Sequence, residues 1–269
     1  MQELLFLFQT QNSDSSIVSR YTCDGCLETV TIRRTKIIGG RDKGMEKDLP
    51  YGCKCEDLAI AAQIKGRRTR RIQLKQEEWF QHHSTLNESQ TTATFDTYVP
   101  ENQSQQEAKL VAMDYANNFT KDKPQNLLLS GSYGLGKSHL ALSVLHQLIS
   151  AGHSGIFVSV PALLTKLKAT YKKDADASED EVLEALIQTE ILALDDLGAE
   201  HRGSEGGSWA TSVIFQIIDM RIGKPTIYTT NLDGGSLRMR VGERNFSRLM
   251  YNTKSLKVTG TDRRIRHLL

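Results

Sequence analysis

The sequence has no apolar stretch approaching the roughly 20 residues that a membrane-spanning helix needs. The longest apolar run near the start, Leu4 to Phe8, is too short for a signal-peptide core and follows Glu3 rather than a basic segment. No internal repeat is found, which argues against a solenoid or propeller. There is little net charge either: 34 Lys and Arg stand against 32 Asp and Glu, so no overall field of one sign marks the chain. Cysteine is scarce, with four residues, all before position 56. Without an export signal a reducing compartment, the cytoplasm, is expected, where thiols are more often metal ligands or buried residues than disulfides.

What is present suffices for a globular protein of one large or two smaller domains. The 269 residues are 39% hydrophobic and 25% charged, which excludes disorder over most of the length. Residues 1–86 hold every cysteine and a basic cluster of Lys65, Arg67, Arg68, Arg70, Arg71 and Lys75, with no sustained alternation of strands and helices. Residues 87–105 are rich in Ser, Thr, Asn and Gln and read as a linker or arm. Residues 106–269 then carry a regular rhythm.

In that rhythm a helix over 106–119 leads to a strand over 126–129, and a glycine-rich turn opens an amphipathic helix over 137–151 whose Leu140, Val144 and Leu148 share one face. A strand over 156–160, a helix from Pro161, a helix over 179–188 and a strand over 191–194 follow. Next come a helix over 209–221, a strand over 226–230, a helix over 243–251 and a strand over 256–259. Strands alternating with helices predict an α/β domain with a parallel sheet covered on both faces.

Residues 131–138, GSYGLGKS, complete the pattern Gly-x-x-x-x-Gly-Lys-Ser/Thr between a predicted strand and a predicted helix. Gly131, Ser132, Tyr133, Gly134, Leu135 and Gly136 are expected to turn backbone N–H groups toward a polyphosphate, with the helix N-terminus adding positive charge. Lys137 would reach the outer phosphates and Ser138 would offer its hydroxyl to Mg²⁺. His139 follows directly and is grouped with the loop. The magnesium also needs an acid. Asp195 and Asp196 end an apolar strand, at the sheet edge where α/β proteins bind ligands. Asp195 is assigned to the metal and Asp196 to the attacking water; a plain strand-end turn is the other reading. Asn231, ending the strand TIYTT, would bridge that water and the terminal phosphate, or form a turn before Leu232-Asp233-Gly234.

Cys23 and Cys26 form a Cys-x-x-Cys pair, and Cys53 and Cys55 a tighter Cys-x-Cys pair. Four thiolates from two short-range pairs can close a tetrahedral Zn²⁺ site, with free thiols or disulfides as the alternatives. The run KGRRTRR is a solvated helix face or a salt-sensitive contact for single-stranded DNA or an acidic protein surface. No aromatic residues interleave it, so base stacking is not indicated.

The segments GSYGLGKSHLA, ILALDDLGAE, TIYTTNL, GERNFSRLM and GTDRR, in that order over residues 126–264, resemble the AAA+ ATPases of the DnaC/DnaI replicative helicase-loader type, including phage relatives. Upstream, TFDTYVPENQSQQEA resembles the arm before their ATPase core. The resemblance implies a P-loop AAA+ core with a parallel five-stranded sheet, preceded by a small zinc-binding, helicase-docking domain. It makes Asn231 the sensor of the γ-phosphate region, and places Arg248 at the arginine-finger position serving a neighbouring subunit, with Arg244 one turn before it. Arg264 matches a late arginine that in the family follows tyrosine; here Arg263 stands in the tyrosine's place. Only 21 residues follow Arg248, too few for a separate helical lid.

The expected activity is therefore ATP hydrolysis to ADP and phosphate, weak and stimulated by partner or DNA. The expected function is loading of the replicative DNA helicase, with ATP, Mg²⁺ and Zn²⁺ as cofactors. The expected partners are the helicase, single-stranded DNA and further copies of the chain in an ATP-dependent oligomer, with no membrane. The rivals are an IstB-like ATPase that assists a transposase, a P-loop kinase, and a zinc adaptor that holds ATP without hydrolysing it.

Overall fold

The computed structural model describes residues 16–87, 90–171, 177–199 and 206–264; the Leu4–Phe8 run lies outside the described residues. The chain divides into two compact units, Met1–Arg70 and Arg71–Leu269.

In the first unit β1 (Ser16–Thr22), β2 (Thr29–Lys36) and β3 (Glu46–Tyr51) form an antiparallel sheet in the order β1-β2-β3. Helix α1 (Cys55–His83) begins at the last cysteine and continues past the division at Arg70. Regular structure is thus more extensive here than the sequence pattern suggests. The reason is burial: β1 and β3 are exposed along their whole length, so no apolar alternation is needed to line a core. Among the described residues of this unit, Val30 is the single buried hydrophobic side chain.

The second unit continues with α2 (Gln103–Asn117), β4 (Asn126–Ser130), α3 (Lys137–Ser150), β5 (Gly155–Ser159), α4 (Val160–Ala169), α5 (Glu179–Gln188), β6 (Ile191–Asp195), α6 (Gly206–Met220), β7 (Thr226–Thr230), α7 (Gly234–Val241), α8 (Glu243–Leu249) and β8 (Thr253–Lys257). Its five strands are all parallel, in the order β5-β6-β7-β4-β8. Successive side chains of a strand point to opposite faces. Leu127, Leu129, Phe157, Ile191, Ala193 and Ile227 therefore enter one core, and Leu128, Ile156, Val158, Leu192, Leu194 and Tyr228 the other. Both faces being covered explains why these strands read as unbroken apolar runs.

Most elements lie within a few residues of their expected places. Helix α7 was not foreseen, because GGSLRMRV lacks an apolar stripe; it starts where the Asp233 carboxylate accepts from the Ser236 N–H at 2.9 Å. Strand β8 lies three residues earlier than expected, at a sheet edge, where Thr, Lys and Ser are tolerated. Residues 90–102, expected as linker, pack on the core: Ala93, Phe95 and Tyr98 are buried. Their polar neighbours close local turns, the Thr94 N–H donating to Thr97 Oγ1 at 2.9 Å and the Gln90 N–H to Asn87 Oδ1 at 3.1 Å. Polar composition here reflects turn chemistry. After α8 the described residues contain β8 and a turn, with no helical lid.

Candidate nucleotide site and cysteine cluster

The sheet order sets the site. β7 lies between β4 and β6, so the loop after β4, the acids after β6 and Asn231 after β7 meet at one carboxyl edge. They surround a cavity of about 410 Å³, lined by Tyr133, Gly134, Leu135, Gly136, Lys137, Ser138 and His139 from the loop and α3, and by Asp196, Asn231 and Arg264 from elsewhere. Gly131 and Ser132 begin the loop behind it.

Gly136 is left-handed (φ 80°), and a Cβ there would meet the Tyr98 ring at 2.5 Å. Glycine is thus demanded by backbone conformation and by close approach together. Lys137 is 5% exposed. Its Nζ donates to Ser132 O and to Asn231 Oδ1, each at 2.7 Å. Burial holds the Lys137 ammonium below its ordinary range, opposed by the charges of Asp196 and Asp195.

Asp195 is buried at the end of β6 and accepts from Thr229 Oγ1 at 2.6 Å. Burial pushes its carboxyl upward; the Thr229 and Ser138 hydroxyls oppose that shift and the Asp196 charge adds to it. Asp196 adopts a left-handed conformation (φ 55°), which costs a non-glycine residue about 1–2 kcal/mol. It is held there because its N–H donates to Thr229 Oγ1 at 3.0 Å, while the next N–H, of Leu197, donates to Thr229 O at 2.8 Å. The turn faces the Asp196 carboxylate to Asn231, whose Nδ2 donates to Asp196 Oδ1 at 3.1 Å. One amide therefore connects the P-loop lysine with the second acid.

A polyphosphate fits this set: a loop with left-handed glycines at Gly134 and Gly136, a buried lysine and a helix N-terminus supply the positive side. Ser138 and Asp195, one hydroxyl and one carboxylate side by side, are the hard oxygen donors that Mg²⁺ takes.

Arg248 lies away from this cavity. Its Nη1 is 2.6 Å from Asp219 Oδ1, and both Arg248 and Arg244 stack on the Phe215 ring, at 4.7 and 4.8 Å. Sequence reasoning missed Asn87, Gln90, Ala93 and Arg263, which line the cavity, and the neighbours Tyr98 and Thr229. The family-like arm segment was the only signal for Tyr98; no spacing rule links residues 98 and 135.

In the first unit the four cysteine Sγ atoms lie within 4.8 Å of one another, Cys23 to Cys55 at 3.5 Å and Cys23 to Cys53 at 3.9 Å. A tetrahedron of thiolates around zinc, with Zn–S near 2.3 Å, has edges of about 3.8 Å. Three further features fit such an ion. The Lys54 N–H points at Cys26 Sγ at 3.5 Å; a Cβ at Gly25 would lie 2.8 Å from Cys55 Sγ; and among its described residues the unit buries Val30 alone of its hydrophobic side chains. Hydrogen bonds from the Cys26 and Gly25 backbone bring the Cys23 thiol down to about 7. Its bonds to Cys23, Cys53 and Cys26 push the Cys55 thiol up to about 12. These four cysteines could hold zinc.

The P-loop, the acids and the five-stranded parallel sheet define an ATP-binding protein of the AAA+ class. The profile of the family described as IstB-like ATP binding protein matches residues 56–268, and the chain belongs to this family, which takes in the DnaC/DnaI type. It is 28% identical over 168 residues to the replicative helicase loader DnaC of Buchnera aphidicola subsp. Baizongia pistaciae, covering 62% of this chain and 66% of that one. To DnaC of Escherichia coli K12 it is 27% identical over 158 residues, covering 58% and 62%. The match thus spans less than two thirds of either relative. A solved structure of the DnaC helicase loader superposes with a TM-score of 0.57 at 30% identity, covering 64% of this chain and all of that one. DnaI superposes with the same score at 23% identity, covering 67% and 95%, which bears on the fold alone. No helix among the described residues is long and apolar enough to cross a membrane.

Proposed function

We propose that this protein is a cytoplasmic, ATP-dependent loader of a replicative DNA helicase. The observation that carries the reading is the similarity to DnaC, joined to a nucleotide site whose lysine, amide and second acid are linked through Asn231. ATP lies on the P-loop with its outer phosphates toward Lys137. Ser138 and Asp195 would hold a Mg²⁺, which would supply neutralisation of phosphate charge. Asp196 orients the attacking water, and Asn231 senses the terminal phosphate while keeping Lys137 and Asp196 in register. Arg248 serves the nucleotide of a neighbouring copy, so hydrolysis depends on assembly. The cysteine unit, carrying zinc, docks on the helicase, and the assembled core holds single-stranded DNA.

The test is copurification of the full chain with the replicative helicase of its host, with and without ATP, alongside a Cys23→Ser/Cys26→Ser variant. The expected result is a complex that the variant loses. No complex under any condition would sink the loader reading and favour an ATPase that assists a transposase, a reading the IstB-like family match also supports.

A further inference from the structure

The P-loop is braced by two residues: Tyr98, which does not line the cavity, and Arg263, which lies at the cavity's edge. A loop that turns its N–H groups inward leaves its carbonyls outward, and each outward carbonyl needs a donor. The Leu135 carbonyl accepts from the buried Tyr98 hydroxyl at 3.2 Å, and the Gly134 carbonyl accepts from the Arg263 N–H at 3.3 Å. Both donors belong to one assembly. The Arg263 guanidinium lies over the Tyr98 ring at 5.1 Å. Its Nη2 donates to Val99 O at 2.5 Å and to Gln105 Oε1 at 2.6 Å, and its Nε is 3.5 Å from Glu101. Gln105 is fully buried. The next residue, Arg264, lines the nucleotide cavity, and its charge acts on Lys137.

We propose that Arg263 is a positioning residue for nucleotide binding: it fastens the segment 98–105 to the turn 262–264 across the outer side of the P-loop, and thereby aims both the loop amides and Arg264 at the cavity. This rests on the reading that the cavity takes ATP. One planar group reaches Val99 O and Gln105 Oε1 through Nη2, faces Glu101 through Nε and lies over the Tyr98 ring; neither a lysine nor a tyrosine supplies all of these at once. A brace of this kind prepays the ordering of the loop, so its loss appears as weaker affinity. Because Arg264 lies beside the lysine for the outer phosphates, the loss falls more heavily on ATP than on ADP.

The experiment measures ATP and ADP affinities of the full-length, zinc-loaded chain by displacement of a fluorescent nucleotide, for wild type, Arg263→Ala, Arg264→Ala and the double variant, with thermal melts alongside. Arg263→Ala is expected to weaken ATP about tenfold and to lower the ATP-to-ADP preference, with the double variant no worse than the weaker single one. If Arg263→Ala fails to fold, Arg263→Lys keeps the charge without the fork and is expected to show the same loss. Unchanged affinities in a folded variant, or losses that simply add in the double variant, would overturn the brace while leaving the ATP site intact. A wild-type chain that binds no nucleotide would overturn the ATP reading itself, and the brace's role in binding with it.

Discussion

Lys137 Nζ donates to Asn231 Oδ1 at 2.7 Å, while the Nδ2 of the same amide reaches Asp196 at 3.1 Å. The amide is thus a spacer between a cation and an anion, and its two ends have different jobs. Lys137→Ala is expected to abolish ATP binding at micromolar concentrations. Asn231→Ala should leave ATP binding within a few fold and cut turnover by about 10²-fold or more, the scale for loss of one preorganised polar group. Equilibrium binding and steady-state phosphate release separate the two; a variant at Asn231 with full turnover would refute the assignment.

Asp195 predicts a trade between stability and activity. Its folded-state carboxyl titrates above the ordinary carboxylate range, chiefly through burial, so the native state binds more protons than the unfolded state as pH rises through that window. Its contribution is therefore fully present below the ordinary Asp range and is lost as pH rises through the raised folded value. Asp195→Asn, which keeps an oxygen acceptor for Thr229, should melt higher than wild type at pH 7, by roughly 2–4 °C for each kcal/mol. The advantage should shrink on acidification, and magnesium-dependent hydrolysis should be lost at every pH. Melts at pH 4 and pH 7 provide the check.

The cysteine cluster predicts independent behaviour of the two units. With Val30 as the one buried hydrophobic described in the first unit, its sheet lacks a core to hold it without a metal. Chelation, or Cys23→Ser with Cys26→Ser, should release about one zinc per chain and make residues 16–70 protease-sensitive. ATP affinity of the second unit should persist. Coincident loss of nucleotide binding would contradict this division.

Arg221 predicts a structural defect far from the chemistry. It is buried, and it donates to Leu186 O at 2.7 Å, Thr189 O at 3.0 Å, Pro225 O at 2.6 Å and Thr226 Oγ1 at 3.0 Å. It thereby ties the end of α5 to the starts of β6 and β7, and burial lowers its pKa to about 10. Arg221→Met would leave several carbonyls without donors, at a cost of about 3 kcal/mol or more. Urea denaturation gives the number, and a loss under 1 kcal/mol would show that water replaces the guanidinium.

The sequence by itself determined the P-loop, the strand-end acids, the amide that ends the strand TIYTT, the cysteine pairs and the α/β rhythm. These are local patterns: phosphate cradling needs glycines at set offsets, a strand buried on both faces must be apolar throughout, and thiols two residues apart can share an ion. Tertiary structure alone decided what these pieces do to one another. Only the strand order places β7 between β4 and β6 and so puts Asn231 between Lys137 and Asp196. The polar segment 90–102 concealed a packing surface because its Thr, Asn and Gln residues close turns that drive Ala93, Phe95 and Tyr98 inward. Arg263 looked like a departure from a family pattern, yet its partners lie more than 150 residues earlier, on Val99 and Gln105. Contacts at such separation leave no periodicity in the sequence, since their register is set by which strands pair and which faces are covered.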